Sequence, residues 1–133
     1  MIIIEYLIAL VTAMILDGIW IGIISKAWYK RYIGDLMLKT PHFFPAILFY
    51  VIFAFAAMVF VISPALSNHW SVGRVMLYGA LLGLVIYGGY DLTNLAILKG
   101  WPIAISIIDI AWGITFSTLG CLITVTISRL LIK

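Results

Sequence analysis

Four long apolar runs, separated by short polar connections, restrict this chain to a single solvent. They are Ile2–Ile24, Phe44–Ser63, Val75–Leu98 and Ile103–Leu131. Each reaches the roughly 20 residues that a helix needs to cross a hydrocarbon core of about 30 Å. Backbone groups in lipid must be satisfied within their own segment, so all four runs are expected to be helices. Of the 133 residues, 65% are hydrophobic and 10% charged, whereas a soluble domain is about a quarter charged. A chain this apolar cannot cover its own surface in water. The expected fold class is an all-α membrane protein, a four-transmembrane-helix bundle with residues 1–133 forming one integral membrane domain.

The connections agree with that reading. Thr40, Pro41 and Pro45 mark the start of the second helix and Pro64 its expected exit. In "KGWP", Lys99 to Pro102, a tight turn places Pro102 where a helix tolerates it best. The first run lacks a basic n-region and is longer than an h-region, so it is expected to span rather than to be cleaved. The long first connection, "SKAWYKRYIGDLMLKTPHF", reads equally well as an amphipathic segment at headgroup level or as a plain loop.

A net charge of +3 would point to nucleic acid in a soluble protein. Here the basic residues lie in the connections, as topology rules place them, and no nucleic-acid partner is expected. One face carries Lys26, Lys30, Arg31, Lys39 and Lys99; the other carries Arg74, Arg129 and Lys133. That excess favours the first face as cytoplasmic, with both termini outside. Cys121 has no partner for an intrachain disulfide. His42 and His69 fall at opposite faces, so no metal or haem site uses both. No catalytic triad, P-loop, CxxC or HExxH motif is present.

The spans contain three aspartates. Asp17 and Asp91 lie about seven residues before the ends of the first and third helices, and Asp109 about six after the start of the fourth. Those three ends share one face, so the carboxyls fall in one layer about 10 Å below the surface. At 100° per residue, Asp109 shares its helix face with Gly113, Ser117, Gly120 and Thr124, a small-residue stripe suited to close helix contact. Asp91 shares its face with Tyr87, Asn94 and Gly83. Trp20 follows Asp17, and Trp112 follows Asp109, by three residues, where an indole N–H can donate to a carboxylate.

No lysine or arginine in the spans lies near enough to neutralise these acids. One charged aspartate at the centre of a span costs about 2.5–3.5 kcal/mol. Three unpaired would cost on the order of 8–10 kcal/mol, comparable to the stability of a whole domain. The carboxyls must be protonated, face a wet cavity or hold a cation. As structural glue, through Asn94, Thr93 and the tryptophans, they would contribute only about 0.6 kcal/mol per bond. A functional polar pocket is therefore the favoured reading. Three acids with Asn94 offer oxygen ligands for a divalent cation, but no metal ligand set is assigned and no cofactor is implied.

At "LDGIWIG", "PAILFYVIF", "YGGYDLTNLAILKGWP" and "DIAWG" the chain resembles a family of small bacterial inner-membrane proteins, domain of unknown function 2177, nearly end to end. The resemblance implies a four-helix protein of the bacterial inner membrane and supplies no activity. The expected function is an intramembrane acidic pocket, alone or in a homodimer, built from Asp17, Trp20, Tyr87, Asp91, Asn94, Asp109 and Trp112. It would bind or transport a polar or cationic small ligand, or relay protons. Small four-helix multidrug exporters carry acids in a comparable place, an analogy of architecture only. The alternatives are a membrane-embedded enzyme or accessory protein acting on lipid, with the aspartates catalytic or metal-binding, and a structural helper subunit.

Overall fold

The computed structural model describes residues 1–131; Lys133, counted above with the terminal face, lies outside them. Among the described residues four helices are long and apolar enough to cross a membrane: α1 (Ile2–Ile24), α3 (Phe43–Ser67), α4 (Val72–Ile97) and α5 (Ile103–Leu131). Between the first two, the long connection forms a short helix, α2 (Lys26–Ile33). The protein is an all-α membrane bundle. In the most apolar stretch of each span only 22 to 39% of residues are buried. Side chains such as Phe55, Phe60 and Val85 point outward, where only lipid can cover them.

Small residues decide which faces meet. Over the regular turns of α1, Ile2–Ile19, the buried positions are Glu5, Ala9, Ala13 and Asp17, four apart and therefore on one stripe. That stripe packs on α5 and α3. The most extensive contact is between α4 and α5. There Gly79 approaches the Thr118 backbone so closely that an added Cβ would lie 3.0 Å from Thr118 Cα. One turn on, a Cβ at Gly83 would run into the Gly113 carbonyl. Small residues at four-residue spacing let helix backbones approach this way in lipid. The stripe expected from Asp109 through Gly113, Ser117, Gly120 to Thr124 is buried throughout.

Two helix boundaries differ from expectation, each for a local reason. Pro64 does not end the second span, which continues to Ser67. The turn before it, Met58–Ile62, widens to π geometry, which absorbs the missing proline N–H and the crowding of its ring. The third span begins at Val72 instead of Val75, because Ser71 caps it by accepting the Arg74 N–H at 3.3 Å. Arg74 thus lies within the first turn, its guanidinium 4.5 Å from the Trp70 ring centroid. Arg129 donates to the Ala65 and Trp70 carbonyls at 3.2 and 2.7 Å. Both arginines fasten the α3–α4 connection. In the other tight turn Gly100 takes a left-handed φ of 77°, which a side chain would disfavour.

Candidate functional site

All three aspartates are turned into the bundle, with exposures of 5% for Asp17, 0% for Asp91 and 6% for Asp109. Their surroundings differ. The Asp17 carboxylate accepts from the Tyr50 hydroxyl at 2.6 Å and from the Trp112 indole N–H at 3.0 Å. Asp109 accepts from the Tyr29 hydroxyl. Asp91 neighbours Asp109, yet neither of its oxygens has a hydrogen-bond partner among the described residues. Trp101, which could have reached Asp91, instead donates to Ser106 Oγ at 3.1 Å.

The tryptophans pair across the interface rather than along their own helices. The three-residue spacing suggested Trp112 for Asp109, but Trp112 lies deeper than Asp109 and meets Asp17 of the antiparallel α1. Trp20 stacks flat on Trp112, with ring centroids 4.5 Å apart and planes 3° from parallel. Its indole N–H lies near the Tyr29 hydroxyl but outside hydrogen-bonding geometry. At Trp20 the helix widens into a π turn that Ser25 closes, its N–H and hydroxyl both donating to the Trp20 carbonyl at 2.8 and 2.9 Å. Such turns recur at functional sites.

Around Asp17 and Asp109 lies a cavity of about 280 Å³. From α1 it is lined by Asp17, Trp20 and Ile21, and from the first connection by Tyr29, Ile33 and Met37. Tyr87 and Tyr90 of α4 and Asp109 and Trp112 of α5 complete it. Two carboxylates thus face five aromatic rings. Asp91 and Asn94 are not part of this lining. Asn94 is half-buried and its side chain has no hydrogen bond among the described residues, while Thr93 donates back to its own helix at Gly89. The interhelical bonding through these two residues that the alternative, structural-glue reading called for is therefore not what the structure contains. No grouping of three His, Cys, Asp or Glu side chains could hold a metal ion among the described residues. Three acids sharing one divalent cation is thus not the arrangement found.

Tyr29 and Tyr50 are the site neighbours that the sequence reading missed. Tyr29 belongs to α2, whose remaining aromatics, Trp28 and Tyr32, are exposed. Burial, and then the hydrogen bond to Asp109, push its hydroxyl well above the ordinary tyrosine range. Replacing Tyr29 with phenylalanine removes the donor to a buried carboxylate and is expected to destabilise the protein by about 1.5–3 kcal/mol. A group with a raised folded-state pKa contributes its stability below the unfolded value and loses it as pH rises through the folded one. Detergent melts should therefore show the gap between wild type and Tyr29→Phe constant below a pH of about 10 and shrinking above it. A gap that widens in alkali would contradict the placement of Tyr29.

No curated protein and no solved structure matches the chain. One family model does, described as predicted membrane protein, domain of unknown function 2177. It covers residues 2–126, which takes in α1 to α4 and most of α5, and the chain belongs to that family.

Proposed function

We propose that the protein binds a small organic cation in the cavity between Asp17 and Asp109, as a transporter-like protein of the bacterial inner membrane. The observation that carries this reading is two buried carboxylates opening onto the same cavity as Trp20, Trp112, Tyr29, Tyr87 and Tyr90. The side-chain donors to those carboxylates are phenols and an indole, which are neutral, so a cation has no fixed positive charge to displace. Ring faces attract cations most strongly in desolvated sites, by about 2 kcal/mol or more. Carboxylate and aromatic walls together select charge over shape. The excess of lysine and arginine beside α2 and the α4–α5 turn supports a cytoplasmic mouth with both termini outside.

The test is a fluorescence titration of purified protein in detergent with benzyltrimethylammonium. Trp20 and Trp112 form part of the wall and report occupancy. A saturable change is expected, absent with the neutral isostere that carries carbon in place of nitrogen. Asp109→Asn should weaken it about tenfold or more, the effect of losing roughly 1.4 kcal/mol. A response that ignores the ligand's charge, or survives in both Asp17→Asn and Asp109→Asn, would contradict the proposal.

A further inference from the structure

A second cavity, of about 540 Å³, lies where α2 meets the α4–α5 turn. Ile33 lines both cavities, so α2 forms part of each wall. The chemistry of the second is opposite. Lys30 and Arg31 of α2 and Lys99 of the turn line it, against the single acid Asp35. Three cations and one anion give a formal charge of +2. Lys30 and Lys99 are far apart in sequence, and the fold alone brings them together. Lys26 and Lys39, on the same face of the protein, stay outside. Counted by sequence, all five served only as a topology signal.

We propose that this cavity seats the headgroup of an acidic phospholipid, its phosphate held by Lys30, Arg31 and Lys99. Guanidinium and ammonium groups make charge-assisted hydrogen bonds to phosphate oxygens. Basic pockets between the cytoplasmic ends of spanning helices bind anionic headgroups. The aromatic composition fits the same depth: Trp101 and Tyr32 line the cavity, as rings do at the membrane interface. Trp101 is fixed there by its bond to Ser106. The Asp35 carboxylate can accept from a hydroxyl, so a hydroxyl-bearing headgroup of net charge −1, such as phosphatidylglycerol, matches both signs in the cavity. Free phosphate shares the phosphoryl chemistry but not the apolar contact. Leu36 and Leu98, 75% and 47% exposed on the cavity's rim, suit the glycerol backbone and upper acyl chain of a lipid.

Native mass spectrometry of the delipidated protein, titrated with phosphatidylglycerol or phosphatidylcholine, tests this. Phosphatidylglycerol should bind selectively. Arg31→Gln with Lys99→Gln should weaken it roughly thirtyfold, as expected for two basic contacts. The charge-matched pair Lys26→Gln with Lys39→Gln should change it less than about threefold, within the diffuse field of a charged surface. Excess inorganic phosphate should leave the lipid bound. Circular dichroism of both double variants verifies the fold, and the single change Lys99→Gln gives an independent reading. Equal binding of the two lipids, or equal loss in both double variants, would overturn the site. Displacement of the lipid by phosphate would overturn its assignment to a membrane lipid.

Discussion

A single methyl group added at Gly113, as alanine, is expected to lower the stability of the bundle by about 3 kcal/mol. The new Cβ would overlap Tyr87 at its Cβ and Cγ, the root of the side chain rather than its mobile tip. Rotation of the ring cannot clear that clash, so the backbones of α4 and α5 must separate. Separation undoes the contact one turn away, where Gly83 lies against the Gly113 carbonyl. It also moves Tyr87 out of the cavity wall, so cation binding should fall along with stability. Gly18 and Gly89 supply the control, since a Cβ at either meets nothing within 4 Å. Alanine there should gain roughly 0.5–1 kcal/mol through helix propensity alone. Melts of the three variants in one detergent check the prediction. Similar shifts for all three would show that α4 and α5 do not pack this closely.

Asp91→Asn should act in the opposite sense, raising stability by about 2 kcal/mol. Asp17 and Asp109 each have at least one side-chain donor, whereas Asp91 is fully buried, with both oxygens unpartnered among the described residues and a second acid beside it. Asparagine keeps nearly the same volume and cannot ionise, so the penalty of a carboxyl crowded against a second acid is removed. Asp91 neighbours Asp109 but does not line the cavity, so the variant should bind benzyltrimethylammonium within about threefold of wild type, close to the scatter of remote substitutions. A destabilised Asp91→Asn would mean that the carboxylate holds something that the amide cannot. Retained stability with lost binding would place Asp91 in the site itself.

The sequence made the spans legible because hydropathy and helical period are local properties. The burial of Asp109, Gly113, Ser117, Gly120 and Thr124 follows from the 100° step alone. Partnership between side chains was less legible, because it depends on which helices touch. Trp112 was read with Asp109, its neighbour on one helix, and it bonds to Asp17, 95 positions away. Tyr50 could have been found by the depth arithmetic already used for the acids. It lies about seven residues into α3 from the same face, level with Asp17. Tyr29 had no such signal, since an aromatic in a basic connection reads as an interfacial anchor until α2 is seen folding back over Asp109. Asn94 misled in the other direction. Its polarity and shared face with Asp91 suggested a site residue, but Asn94, although on the side of α4 that carries Tyr87 and Tyr90, lies a turn beyond Tyr90 and outside the cavity lining.

Whether the cavity between Asp17 and Asp109 is a cation site is tested most directly by an anomalous diffraction measurement. Crystals grown with 4-bromobenzyltrimethylammonium should give a bromine peak inside the ring of Trp20, Trp112, Tyr29, Tyr87 and Tyr90. The ammonium group should lie within reach of the Asp109 carboxylate, and the peak should vanish in Asp109→Asn crystals. The apolar groove between α1 and α5, lined by Ile4, Leu7, Val11, Ile123 and Ile127, is the alternative place for a greasy cation to settle. A bromine peak there, with the acidic cavity empty of ligand, would contradict the proposed function.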